Sequence, residues 1–219
     1  MKVYMIPGLG FDDRIFQKIN LPAASTYYLN WIEPAKGESI ESYAGRMSGN
    51  ISNEEEKVVL VGHSFGGIIC QEIAKQRSID KIVLVSSIVS RKENPLKFKI
   101  IHPSFLHKLI TKELILSTFR YWDKQHGFET KEEQALFRQM VPKHTNNYFS
   151  WALRALSRWN NLERNKTTKV VRIHGRRDKT FPFHLVSGID YEVEDGSHFM
   201  VYKQGELIGQ ILQNEIKKE

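Results

Sequence analysis

Six short runs rich in β-branched residues constrain the fold of this chain more than any other feature. They lie at 2–6, 26–31, 57–61, 81–86, 169–173 and 189–194, with helix-like stretches near 12–19, 39–52, 65–77 and 203–218. The third, fourth and fifth runs are nearly all apolar, which indicates strands covered on both faces. We therefore predict an α/β fold with a doubly wound, mostly parallel six-stranded sheet, and functional groups at the carboxyl ends of its strands.

The interval between the fourth and fifth runs is far longer than a crossover requires. Helical spacing relates Tyr148 to Trp151 and Ala155, and residues 132–141 have the pattern of another helix, ended by a proline. We predict an inserted helical cap that is rich in aromatic residues. The predicted boundaries are 88–167 for the cap, and 1–87 with 168–219 for the core.

The positive charge of the chain is concentrated in the cap. Residues 90–166 hold 15 Lys and Arg against 7 Asp and Glu, an excess larger than the net charge of +7 of the whole chain. These basic residues are scattered singly among apolar ones, which is typical of solvated helix faces. We expect no nucleic-acid partner, while attraction of an anionic substrate or membrane surface remains the alternative.

Composition also bears on location. No apolar run approaches the length of a membrane span, so we expect no integral membrane segment. The N-terminus leads directly into the first strand without a signal-peptide pattern, and Cys70 is the single cysteine. We expect a cytoplasmic location.

The most informative motif follows the third run, where Gly62, Ser64 and Gly66 have the spacing Gly-x-Ser-x-Gly. In a nucleophile elbow, a sharp strand-to-helix turn strains the serine backbone and lifts its hydroxyl above the sheet edge. A buried-type strand ends at Gly62 and a helical pattern begins at Phe65, which is the context that this motif requires. The sequence predicts Ser64 as a nucleophile; the alternative is a glycine-rich turn with an incidental serine.

A serine hydroxyl is a weak nucleophile at neutral pH and needs a base that a third group holds in place. Asp178 comes just past the fifth strand, and His198 lies in the loop after the sixth. The carboxyl ends of parallel strands meet at one sheet edge, so both side chains should reach Ser64. We predict His198 as general base and Asp178 as its orienting acid, with His184 and Asp195 as rivals.

Acyl transfer also needs backbone donors for the oxyanion. The N–H of Phe65 is one donor by geometry, and the second should come from the loop after the first strand. We predict Leu9, with Gly10 as the fallback. A dinucleotide-binding interpretation of this loop is disfavoured because Asp13 stands where the fingerprint requires its third glycine.

Three motifs occur in a defined order: Gly62-His63-Ser64-Phe65-Gly66-Gly67, His174-Gly175-x-x-Asp178 and Gly196-Ser197-His198. With these motifs the chain resembles the α/β-hydrolase superfamily over its whole length. The resemblance implies a catalytic triad of Ser64, Asp178 and His198. The serine nucleophile argues against the dehalogenase and epoxide-hydrolase branches, which carry aspartate at the elbow.

The resemblance further implies an oxyanion hole from Leu9 and Phe65, and a cap inserted after the strand at 81–86. The sequence departs from the family pattern in two places. Pro7-Gly8 stands where the oxyanion loop usually has His-Gly. The antiparallel strands that usually precede this loop are absent, which implies a minimal form of the fold.

The expected activity is hydrolysis of a small-molecule carboxylic ester or thioester through an acyl-enzyme, without cofactor or metal. Cap aromatics should form part of an apolar substrate pocket, and the predicted pocket residues are Phe119, Trp122, Trp151 and Phe199. Two alternatives stay open. The same triad could serve acyl transfer or C–C bond chemistry, or the fold could be a non-catalytic binder.

Overall fold

The fold is built on a six-stranded sheet in which all neighbouring strands are parallel. The computed structural model describes residues 1–52, 56–100, 109–161 and 168–218. Its strands are β1 (Lys2–Ile6), β2 (Ser25–Tyr28), β3 (Val58–His63), β4 (Lys81–Val85), β5 (Lys169–Gly175) and β6 (Tyr191–Val193). They lie in the order β2-β1-β3-β4-β5-β6, so the predicted α/β sheet is confirmed.

The central strands are covered on both faces. Every residue of β3 and β4 is buried, as their continuous apolar runs predict. The edge strands are shorter than predicted, since β2 ends at Tyr28 and β6 begins at Tyr191. At the first edge the chain turns away beyond β2, and Trp31 donates from its indole Nε1 to the carbonyl oxygen of Gly8 instead of extending the strand.

Helices flank the sheet on both sides. They are α1 (Ile40–Ser48), α2 (Phe65–Gln76), α3 (Leu96–Lys99), α4 (Lys112–Ser117), α5 (Phe119–His126), α6 (Lys131–Met140), α7 (Asn146–Arg158), α8 (Met200–Lys203) and α9 (Gly205–Lys217). The crossovers through α1 and α2 run in one direction along the sheet, whereas the connection from β1 to β2 runs in the other. Right-handed crossovers therefore place that connection on the opposite face, where α9 packs against it.

The connection from β1 to β2 contains only a 3₁₀ helix, Asp13–Phe16, where the sequence predicted a helix over 12–19. Asp12 precedes it, and its carboxylate accepts hydrogen bonds from the backbone and guanidinium of Arg14. Lys143 pairs with the same carboxylate. This polar network fixes the short turn directly after the loop that follows β1.

Helices α3 to α7 occupy the long interval between β4 and β5. Their ties to the rest of the chain include the indole of Trp159, which donates to Glu72 of α2 at 2.6 Å. The backbone N–H of Phe199 also donates to the carbonyl oxygen of His126 at 3.1 Å. The boundaries 88–167 of the cap stay a prediction. Phe105, one of the aromatic residues of the predicted cap, lies outside the described residues.

None of the helices that the structure describes is long and apolar enough to cross a membrane. The longest, α7 and α9, have 13 residues each. The cytoplasmic location stays a prediction.

A buried ion pair joins the start of the α3–α7 interval to β5. Arg172 donates from both terminal nitrogens to the carboxylate of Glu93, at 2.9 and 2.7 Å. Glu93 also accepts hydrogen bonds from the backbone of Val89 and Ser187. Burial alone would raise the pKa of Glu93, but the guanidinium of Arg172 and these backbone donors hold it below its ordinary value.

Replacing Glu93 tests this pair. Glu93→Ala should lower the free energy of unfolding by about 3–5 kcal/mol, because it leaves the Arg172 charge buried without its partner. Asp195→Ala is the matched control, since its ion pair with Arg177 is exposed and the change should stay within about 0.5 kcal/mol. Urea unfolding of both variants measures the difference, and equal losses would contradict the assignment.

Candidate active site

Ser64 lies in the turn between β3 and α2 with a left-handed backbone, φ 53° and ψ −120°. Such a conformation costs about 1–3 kcal/mol for a residue with a side chain and persists only where its surroundings enforce it. The N–H of Ser64 donates to the carbonyl oxygen of Val85 at 3.0 Å, and the hydroxyl of Ser87 donates to the carbonyl oxygen of Ser64 at 2.6 Å. Strand β4 therefore holds the strained turn from one side.

The start of α2 holds the turn from the other side. A Cβ added to Gly66 would lie 2.3 Å from the carbonyl oxygen of Ile6, at the end of β1. Only glycine allows β1 and α2 to approach this closely. The spacing Gly62-x-Ser64-x-Gly66 is thus required by contacts between backbones.

The two loops that carry Asp178 and His198 also meet backbone to backbone. A Cβ added to Gly175 would lie 2.1 Å from the carbonyl oxygen of Gly196. That oxygen accepts a hydrogen bond from the N–H of Arg177 at 2.9 Å. This contact brings the loop after β5 against the loop after β6.

One chain of hydrogen bonds joins the three residues that the sequence predicts as a triad. Nδ1 of His198 lies 2.8 Å from Oδ2 of Asp178, and Nε2 of His198 lies 2.9 Å from Oγ of Ser64. The other carboxylate oxygen of Asp178 accepts from the backbone N–H groups of Thr180 and Phe181, each at 2.8 Å. The carboxylate is therefore fixed in the orientation in which it binds the imidazole.

The electrostatics of the three residues suit proton transfer. Burial raises the pKa of Asp178 to about 6, so its carboxylate is ionised at neutral pH. An ionised carboxylate accepts, so it selects the tautomer of His198 with a proton on Nδ1. Burial lowers the pKa of His198 well below its ordinary value. The imidazole is neutral, and its Nε2 is free to accept the proton of Ser64.

The rival acid and base lie away from this chain of hydrogen bonds. Asp195 pairs with Arg177 at the surface, and His184 is exposed in the 3₁₀ helix Phe183–Leu185. His63 faces away from the serine hydroxyl, and its Nε2 donates to the carbonyl oxygen of His198 at 2.9 Å. Burial lowers the pKa of His63 to about 3, which keeps this ring neutral beside His198.

The loop after β1 faces Ser64 across the switch point of the sheet. The N–H of Phe11 donates to the carbonyl oxygen of Gly8 at 3.0 Å, which closes a turn around Leu9 and Gly10. Both of these residues line the same cavity as Ser64 and Phe65. Phe65 begins α2, whose N-terminal end carries partial positive charge. The predicted oxyanion donors thus lie around the serine, and their role stays a prediction.

A cavity of about 240 Å³ opens above Ser64 and His198. Its apolar wall comprises Leu9, Phe11, Phe65, Phe98, Ile110, Ile115, Tyr121, Trp122, Phe137, Val141, Phe149, Leu153, Leu156 and Phe181. Trp122 is the only one of the four predicted pocket residues in this wall. The structure places Phe119, Trp151 and Phe199 behind this wall instead, against Phe137, Phe65 and Phe11.

Each of these three aromatics has its own packing partner. Phe119 lies 6.4 Å from the ring of Phe128, and Phe199 stacks on Phe11 at 5.4 Å. The indole of Trp151 lies 4.0 Å from the ring of Tyr43, and its Nε1 donates to the carbonyl oxygen of Glu38. These three rings pack elements of the fold together and do not line the cavity.

Polar groups that the sequence did not single out occupy one side of the cavity. They are Lys97, Gln125, His126 and Thr180. Three of them belong to the region between β4 and β5, where isolated polar residues among apolar ones are typical of helix surfaces. No group of three or more metal-ligating side chains occurs within the described part of the chain.

Comparisons with known proteins identify the family and the fold. The model of the alpha/beta hydrolase family matches residues 5–208. No curated protein sequence matches the chain.

Several solved structures share the fold. A hydrolase from Oleispira antarctica has a TM-score of 0.79 at 12% identity, with 100% of this chain and 91% of that chain covered. An esterase from Exiguobacterium antarcticum has a TM-score of 0.73 at 15% identity, with 100% and 92% covered. A lipase-esterase related protein from Clostridium acetobutylicum has a TM-score of 0.72 at 16% identity, with 97% and 93% covered.

The approach of β1 to α2 gives a direct test of the elbow. Gly66→Ala should lower the free energy of unfolding by about 1–3 kcal/mol, because the added methyl group forces the backbones apart. Gly209→Ala in α9 is the control, since its Cβ would lie at an ordinary 3.4 Å from Asn20 and alanine favours helix. Thermal and urea unfolding distinguish the two, and a Gly66→Ala variant as stable as the control would refute the close approach.

Proposed function

Because the chain belongs to the alpha/beta hydrolase family, we propose that it hydrolyses carboxylic esters or thioesters through an acyl-enzyme on Ser64. The observation that carries the proposal is the hydrogen-bonded series Asp178, His198 and Ser64 at the base of a largely apolar cavity. Nucleophile, base and orienting acid are within hydrogen-bond distance before substrate binds. The structural similarity to the esterase from Exiguobacterium antarcticum supports the same reaction class.

In the first step, Nε2 of His198 takes the proton from Ser64 as Oγ attacks the scissile carbonyl carbon. The N–H groups of Phe65 and Leu9 then stabilise the oxyanion of the tetrahedral intermediate. His198 gives the proton to the leaving alcohol or thiol, and the C–O or C–S bond breaks. In the second step, His198 activates water, which releases the acid and restores Ser64.

The cavity walls define the substrate class. Aromatic and aliphatic side chains from α4 to α7 face the serine, so an apolar acyl or alcohol portion gains free energy by leaving water. A volume of about 240 Å³ suits a small substrate rather than a polymer. In this proposal residues 88–167 serve as the lid of the site.

Replacing the nucleophile tests the mechanism. Ser64→Ala should lower kcat for a p-nitrophenyl ester by about 10⁴–10⁶-fold, because the remaining groups cannot form an acyl-enzyme. Its melting temperature should stay close to that of the wild type.

Replacing the orienting acid tests the role of Asp178. Asp178→Asn should also lower kcat strongly, since an amide selects the wrong tautomer of His198.

A fluorophosphonate probe separates catalysis from binding alone. The wild type should gain one covalent adduct on Ser64, detected by mass spectrometry of the peptide, and Ser64→Ala should gain none. Asp195→Ala is the control and should label like the wild type, because Asp195 lies at the surface. An unlabelled wild type, or normal turnover by Ser64→Ala, would overturn the proposal.

The pH dependence follows from the buried base. His198 must be neutral to take the serine proton, and burial lowers its pKa well below 6.5. The value of kcat/KM should therefore hold as the pH falls from 8 to 7 and decline at lower pH, where Asp178, whose pKa burial raises to about 6, begins to be protonated. A pH–rate profile of a neutral ester measures this, and an acidic limb centred at or above pH 7 would contradict it.

A further inference from the structure

A second histidine contacts the cavity close to the base. His126 is the last residue of α5, and its ring centroid lies 5.5 Å from that of His198. The ring stacks on Phe128 at 5.4 Å and meets the ring of Phe11 edge-on at 5.3 Å. These contacts fix its plane, so its nitrogens have defined directions.

The hydrogen bonds of His126 define its tautomer. Nδ1 lies 2.8 Å from the carbonyl oxygen of Trp122. A carbonyl oxygen only accepts, so the proton of the neutral ring is on Nδ1. Burial lowers the pKa of His126 to about 3, so the ring is neutral at physiological pH. Nε2 therefore presents a lone pair.

Nothing in the described part of the chain donates to that lone pair. His126 is more than nine-tenths buried. Its Nε2 nevertheless keeps some accessible surface and is not sealed inside the protein. His126 lines the cavity above Ser64. The free acceptor thus opens into the space that the substrate occupies, and buried acceptors normally have donors.

We propose that His126 is a specificity-determining residue whose Nε2 accepts a hydrogen bond from a hydroxyl or amide N–H of the substrate. The proposal rests on the proposed function, because it assigns the subsite next to its reacting groups. The short distance between the rings of His126 and His198 places the donor within a few bonds of the scissile carbonyl.

The surroundings of His126 favour a neutral donor. The ammonium group of Lys97 donates to Oε1 of Gln125 at 2.7 Å and to the carbonyl oxygen of Lys179 at 2.9 Å. Lys97 opposes a positive charge at His126 and the carboxylate of Asp178 favours one, so these two charges act against each other. The cavity wall is largely apolar, so a substrate ammonium would lose its hydration there at a high cost in free energy, whereas a hydroxyl or amide N–H loses far less.

Pairs of esters that differ by one donor test the proposal. On the acyl side, the parent ester p-nitrophenyl butyrate is compared with its 2-hydroxy and 3-hydroxy derivatives and with the p-nitrophenyl ester of N-acetyl-β-alanine. On the alcohol side, ethyl butyrate is compared with 2-hydroxyethyl butyrate. In the wild type, the donor should raise kcat/KM about tenfold in at least one pair. The pair that responds identifies hydroxyl or amide, and acyl or alcohol side.

The variants His126→Phe and His126→Gln separate hydrogen bonding from packing. Phenylalanine keeps a flat ring between Phe11 and Phe128 but has no acceptor. The ratio of kcat/KM between donor ester and parent ester should therefore fall below two, while the parent ester stays a substrate. Glutamine places an oxygen near Nε2 and should retain part of the advantage. His184→Phe is the control on an exposed histidine and should leave every ratio unchanged.

Two results would overturn the proposal. One is the same ratio of kcat/KM between donor ester and parent ester in the wild type and in His126→Phe, for every pair. The other is a loss of kcat/KM in His126→Phe that is equal for parent and donor esters. Calorimetric binding of the same esters to Ser64→Ala, with and without His126→Phe, repeats the comparison without turnover. Failure of the hydrolysis proposal would appear as an unlabelled Ser64, while this binding comparison would still decide the role of His126.

Discussion

Ser64 keeps its left-handed backbone because two parallel strands and one helix close around it. Strand β1 supplies the carbonyl oxygen of Ile6 against Gly66, and β4 accepts the N–H of Ser64 through Val85. These contacts exist only if β1 and β4 flank β3 in register, since each touches a different side of the turn. The strain at the serine is thus stabilised by the most deeply buried part of the sheet, and the position of its hydroxyl depends on that packing.

The same strand order explains why the remaining groups converge. The chain passes from β1 to the edge strand and returns to β3, which leaves a crevice between the loops that follow β1 and β3. Leu9 and Gly10 occupy one side of the crevice and Ser64 the other. Strands β5 and β6 then bring Asp178 and His198 to the same edge, where Gly175 and Gly196 allow the two loops to touch.

Burial also determines the charge state of the site. The rings of His63 and His126 lie 5.1 and 5.5 Å from that of His198, and burial keeps both of them neutral. A protonated neighbour at that distance would oppose formation of the imidazolium of His198 during catalysis. Asp178 is then the charged group in direct contact with the base, and its carboxylate stabilises the imidazolium against the opposing charge of Lys97.

The sequence could predict the sheet and the convergence of Ser64, Asp178 and His198 because both depend on local patterns. Continuous apolar runs identify buried strands, and Ser64, Asp178 and His198 each follow a strand within a few residues. The pocket could not be predicted in the same way. Helical periodicity shows that Phe119 and Trp151 face inward, but it does not distinguish a helix contact from a cavity wall, and both rings pack against other aromatics.

His126 illustrates the limit most clearly. In the sequence it is one of eight histidines, on a segment without a motif. Its proposed role depends on three features of the structure: Nδ1 donates to the carbonyl oxygen of Trp122 one turn earlier, Phe11 and Phe128 fix the plane of the ring, and the serine lies across the cavity. In the proposed function, the reaction class is therefore encoded next to the strands, whereas selectivity arises from residues on helices α3 to α7 that meet only when the chain folds.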